Sequence, residues 1–134
     1  MRDYGIAWVA GAVVMGCLDF AWLTLMVGPV YQPALGSILA DKPNMTAAVA
    51  FYAIYLVGVV AFAVRPGLEA GDWRVALAWG AAFGFFAYAT YDLTNMATLK
   101  VWSLKVTLVD MAWGAFLTAA TAGAAAATAL ALEK

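Results

Sequence analysis

Residues 46–64 read TAAVAFYAIYLVGVVAFAV, a stretch without one charged side chain that stops at Arg65-Pro66. A helix needs about 20 predominantly apolar residues to cross the hydrocarbon layer, and only helices and closed barrels satisfy their backbone groups there. The stretch therefore reads as a transmembrane helix. On either side of it lie three more stretches of the same kind, at about residues 4–27, 73–97 and 103–131. Together they predict an all-α fold, an integral membrane four-helix bundle, with residues 1–134 as a single transmembrane domain.

The composition of the 134 residues agrees, with 66% hydrophobic and only 11% charged. A soluble domain carries about 25% charged residues. The shortfall argues against a soluble enzyme, and a net charge of −1 without a basic block leaves no electrostatic footprint for nucleic acid. Cys17 stands alone, so no disulfide can form within the chain. With no base beside it in sequence, it reads as a small packed side chain. The chain has no histidine, which removes the usual ligand for haem, zinc and iron and the usual neutral-pH base. Chemistry falls to carboxylates, tyrosines and lysines, and no cofactor is expected.

Pro29, Pro33 and Pro43 lie between the first and second spans, and Pro66 with Gly67 and Gly71 between the second and third. The breakers thus mark connections and interrupt no span. Asn44 or Thr46, Asp72 and Ser103 stand where a side-chain oxygen can cap a new helix. In the longest connection, Ala34-Leu35-Gly36-Ser37-Ile38-Leu39 is either a small interfacial helix or a plain loop. Val14-Met15-Gly16-Cys17 resembles a lipoprotein cleavage box, but the apolar stretch continues from Leu18 to Val27 where a polar tether belongs. The first helix is therefore expected to stay uncleaved. With both termini on one side, Arg2, Arg65, Arg74 and Lys134 oppose Lys42, Lys100 and Lys105. That difference leans toward cytoplasmic termini in a bacterial inner membrane. Trp8, Trp22, Trp73 and Trp102 read as interfacial anchors, and the alanine-rich run at 119–131 as a helix that tilts or extends past the bilayer.

Three acids break the apolar pattern. Asp19, Asp92 and Asp110 lie within spans, where a central charge costs about 2.5–3.5 kcal/mol. At about 3.6 residues per turn, the third span places Gly80, Gly84, Tyr88, Tyr91, Asp92 and Asn95 on one face. The fourth groups Thr107, Asp110, Gly114, Thr118 and Thr121, and the first groups Gly5, Ala12, Gly16 and Asp19. Small and hydroxylated residues let membrane helices approach closely, so these faces should point into the bundle. All three acids also sit at one depth, roughly 8–12 Å from the membrane edge opposite the termini. Tyr52 and Tyr55 of the second span reach a similar depth. The expected site is a cluster of Asp19, Tyr52, Tyr55, Tyr88, Tyr91, Asp92, Asn95 and Asp110 under a rim of Lys100, Trp102 and Lys105. Such a cluster is either hydrogen-bonded glue between helices or a ligand, ion or proton site. No spacing motif supports a metal, although three carboxylates would suit a hard cation.

Asp19-Phe20-Ala21-Trp22 is echoed by Asp110-Met111-Ala112-Trp113 in a span of opposite direction, the trace an inverted duplication would leave. Asp19 with Trp22, Phe51-Tyr52 with Tyr55, the run Tyr88-Ala89-Thr90-Tyr91-Asp92-Leu93-Thr94-Asn95, and Asp110 with Trp113-Gly114 resemble the bacterial membrane-protein family called domain of unknown function 2177. The resemblance covers nearly the whole chain. It implies a small four-helix inner-membrane protein and an association with cyclopropane-type fatty-acid modification, but no established activity.

Three functions are open to such a chain. The cluster can bind a lipid or amphiphile in membrane-lipid metabolism, with Lys100 and Lys105 drawing an anionic headgroup. It can carry protons or cations, for which four short spans would need a homo-oligomer. Or it can lock a structural subunit of a larger membrane complex. Membrane lipids are the expected partners in the first reading, and whether the protein is an enzyme is left open.

Overall fold

A computed structural model describes residues 2–133, which form four long helices and no strand. Helix α1 spans 2–35, running as Arg2–Met26, a wide turn at Val27–Tyr31 and a last turn at Gln32–Leu35. Helix α2 spans Met45–Ala70 and repeats the device, with a wide turn at Val60–Val64 before Arg65–Ala70. Helix α3 is Trp73–Thr98 and helix α4 is Leu104–Leu132. The last two agree closely with the spans expected from hydropathy.

The first two run further than expected, because Pro29, Pro33 and Pro66 do not end them. Proline lacks an N–H, and its ring crowds the carbonyl four residues back. Here the backbone widens to five-residue hydrogen-bonded turns, with the Gln32 N–H donating to the Val27 carbonyl and the Arg65 N–H to the Val60 carbonyl. The extra residue relieves the crowding. Pro33 and Pro66 then stand in the first turns of fresh helical segments, where a missing N–H costs little. Residues 34–39 accordingly form no separate interfacial helix, since Leu35 closes α1 and a loop follows. Only Gly71 and Asp72 separate α2 from α3, and Gly71 takes a left-handed φ of 64° that favours glycine. Asn44, rather than Thr46, caps α2 by accepting from the Ala47 N–H, and Asp72 and Ser103 cap α3 and α4 as expected.

Helices α1, α2 and α4 are long and apolar enough to cross a membrane. Helix α3 has the length, at 26 residues, but Tyr88, Tyr91, Asp92, Thr94 and Asn95 lower its hydropathy. Length and hydropathy thus mark three of the four helices as candidate spans, within the four-helix, all-α architecture that was expected. Helix α3 joins the bundle by packing along α4, the most extensive contact in the molecule. A Cβ at Gly80 would lie 2.6 Å from the Thr118 carbonyl oxygen, and one at Gly84 would collide with the Gly114 carbonyl. Close backbone approach explains both glycines.

Helix α1 packs on α4 through Ala7, Gly11, Met15 and Asp19, a ridge of every fourth residue. Such a ridge drifts around the helix, so Asp19 sits at the margin of the contact and not at its centre. The expected face is correspondingly rotated outward, with Gly5 and Gly16 exposed beside open space. Cys17, expected to be packed, is also exposed. Ala122, Ala125, Ala126 and Ala129 are buried in the core, so the alanine-rich run is a packing surface.

Helix α2 is held unevenly. Its second half packs on α3, whereas Met45–Val59 leans on α1 and reaches α3 and α4 mainly through long side chains. A wedge opens between the first half of α2 and α3, beside the polar cluster.

Candidate functional site

The cluster is built where the wedge meets α4. Trp113 of α4 donates from Nε1 to Asp19 Oδ1 at 3.2 Å, and the Tyr52 hydroxyl of α2 donates to Asp19 Oδ2. Asp19 is thus reached from two other helices. Asp110 accepts from the Tyr31 hydroxyl at 2.5 Å, and that hydroxyl accepts from Trp22 Nε1 at 3.0 Å. The rings of Trp22 and Trp113 stack with centroids 4.2 Å apart and planes 7° from parallel. The two Asp-x-Ala-Trp segments therefore interlock. Each tryptophan serves the other segment's aspartate, Trp113 directly and Trp22 through Tyr31.

Asp92 differs from both. It is 0% exposed, and neither carboxyl oxygen has a hydrogen-bond donor among the described residues. Its neighbour is the carboxyl of Asp110. Two carboxylates are acceptors only, so in that form neither supplies the other with a donor. Tyr55 shares a hydrogen bond of 2.8 Å with the Thr118 hydroxyl and packs edge-on against Tyr88 at 6.5 Å. The Tyr88 ring lies against Gly114, where any side chain would collide with it.

Two cavities meet at Tyr88 and Asp110. The first, about 440 Å³, occupies the wedge and is lined by Phe51, Tyr55, Ala87 and Tyr91 besides those two. The second, about 490 Å³, lies on the loop side, with Asp19, Trp22, Tyr31, Asp41 and Trp113 among its walls. Acidic residues line the second cavity, and no lysine or arginine does.

Of the residues expected from sequence, Asp19, Tyr52, Tyr55, Tyr88, Tyr91, Asp92 and Asp110 come together here. Asn95 is half-buried one turn beyond Asp92 and lines neither cavity. The rim is different from the expectation. Lys100 and Lys105 are exposed and line neither cavity, while Trp102 donates to the Thr107 hydroxyl at 2.9 Å and meets Tyr91 edge-on. Trp22 is no interfacial anchor but part of the site. Tyr31 went unread in sequence because Pro29 and Pro33 placed it in a presumed loop, and Asp41 because nothing local marks it. The repeated Asp-x-Ala-Trp pattern was the signal for Trp22 and Trp113.

A family model described as "Predicted membrane protein (DUF2177)" matches residues 4–127. The chain belongs to the DUF2177 family. No curated protein and no solved structure matches it. The matched region contains every residue that lines the two cavities.

Proposed function

We propose that this DUF2177 protein binds an amphiphile drawn from the bilayer, with the tail in the wedge between α2 and α3 and the polar end at Tyr88 and Asp110. The observation that carries this reading is the first cavity. Its walls are mostly aromatic and apolar, it lies between the first half of α2 and α3, and the polar groups on its walls are Asp110 and the hydroxyls of Tyr55, Tyr88 and Tyr91. Binding sites of this size are generally apolar with a few polar groups that fix orientation.

Magnitudes argue against interhelical glue as the whole account. Membrane hydrogen bonds between helices average about 0.6 kcal/mol, so the four that join Asp19, Asp110 and Thr118 to other elements supply about 2–3 kcal/mol together. One central acid costs about 2.5–3.5 kcal/mol by itself. A ligand that uses the acids supplies the reason to keep three of them.

In this reading the protein lies in the cytoplasmic membrane with both termini inside, and the cluster near the outer leaflet serves membrane-lipid metabolism. The test is native mass spectrometry of gently extracted protein beside Ala87→Phe, which fills the wedge, and Asp110→Asn, with extraction of what travels with each. A defined amphiphile carried by the wild type and lost from folded Ala87→Phe is the expected result. Equal carriage of bulk lipid by all three would overturn it.

A further inference from the structure

The second cavity has a chemistry that the wedge lacks. Trp22, Trp113, Tyr31 and Tyr88 supply aromatic walls, and Asp19 and Asp110 stand among them. Asp41 adds a third acid from the loop. Behind them Asp92 is wholly buried, unpartnered and set against Asp110.

Among the described residues no lysine or arginine lines this cavity, and Lys42, between the wall residues Asp41 and Pro43, is exposed. Lys100 and Lys105 are exposed and do not line the cavity, and the described ion pairs, Arg65 with Glu69 and Arg74 with Asp72, belong to residues outside it. Buried charge without a partner is expensive, so the balance must come from a proton or from what binds. A metal ion is a poor fit, because among the described residues no three acidic or sulfur side chains converge as a coordination shell. Dispersed carboxylates beside aromatic rings suit an organic ammonium instead. The rings attract the cation through their faces while the acids supply the countercharge at longer range.

Resting on the amphiphile reading above, we infer that the second cavity receives a cationic headgroup, a protonated or quaternary amine, bounded by Trp22, Tyr31, Tyr88 and Trp113 and neutralised by Asp19 and Asp110. Tyr88 and Asp110, shared by both cavities, mark the junction of head and tail. This reverses the polarity expected from Lys100 and Lys105, which suggested an anionic headgroup.

The full-length protein in neutral maltoside micelles is titrated with dodecyltrimethylammonium, dodecyl sulfate and tetramethylammonium, and bound adducts are counted by native mass spectrometry. The two dodecyl probes share a tail and differ in charge. Preference for the ammonium by about tenfold or more, saturating at one per chain, is expected. Trp22→Leu keeps all the acids and should reduce that preference, as should Asp110→Asn. Equal affinity for the two dodecyl probes overturns the cationic headgroup while leaving an amphiphile site in place. Tetramethylammonium binding as tightly as the dodecyl cation supports the ammonium cavity and overturns the tail in the wedge. Absence of saturable binding by any probe overturns both, and these comparisons need only the wild-type protein.

Discussion

A carboxyl group in this chain behaves according to what its oxygens meet. Asp19 has two donors, Asp110 has one, Asp92 has none, and Asp72 lies at the surface with an N–H and a guanidinium. At Asp72 the consequence can be worked through. The Arg74 side chain and backbone N–H hold its carboxyl below the ordinary value of 3.8. A lowered folded value means that the carboxylate favours the folded state. That contribution is complete above the ordinary value and is lost as pH falls through the lowered one. Acid titration of the melting temperature should therefore show a stability loss at the low end that Asp72→Asn, which keeps a capping oxygen, does not share. If variant and wild type lose stability in parallel, Asp72 has no part in that limb.

Elements are decided by details that hydropathy does not register. The wide turn at Val27–Tyr31 contains one residue more than regular helix, and that residue turns Tyr31 by about 100° relative to an uninterrupted α1. Deleting exposed Gly28 removes the extra residue and should leave Tyr31 facing Asp110 with ligand carriage intact, whereas Tyr31→Phe, which removes the hydroxyl between Trp22 and Asp110, should abolish carriage in a protein that still folds. Carriage retained by Tyr31→Phe would mean that the hydroxyl is dispensable. The α3–α4 contact makes the opposite kind of demand. Gly84 faces the Gly114 carbonyl and the Thr118 side chain without room for a methyl group, so Gly84→Ala should cost about 1–3 kcal/mol by overpacking. Reversible unfolding in mixed micelles measures this, and an unchanged midpoint would show that the helices can move apart freely. Glycine at 80 and 84 was legible as a packing motif. Gly5 and Gly16 carried the same signature and turned out to face outward, because the residue pattern alone does not say which stripe of α1 meets α4.

For the whole molecule, the uneven grip on α2 is the feature with functional weight. Its second half is fastened to α3 by the two-residue turn and by Gly67, where a Cβ would lie 2.6 Å from that of Ala76. Its first half is fastened mainly by the Tyr52 and Tyr55 hydrogen bonds and by α1. Bridging cysteines introduced at Phe51 and Tyr91 with a short cross-linker, in a Cys17→Ser background, should close the wedge. Ligand carriage should fall while thermal stability holds or rises. Carriage that survives the cross-link would place the tail elsewhere.

The sequence by itself determined the helical class, the membrane setting and the caps of α3 and α4, because these follow from local hydropathy and capping chemistry. It also marked Asp19, Tyr55, Tyr88, Tyr91 and Asp110 among the residues around the cavities, but not most of the others. Only the tertiary structure decided that two helices pass through their prolines, that Tyr31 and the two tryptophans link the aspartates, and that the lysine rim stands apart. Those outcomes depend on how one helix is rotated against another, and rotation is set by close packing between segments far apart in the chain. No pattern within a single segment records it.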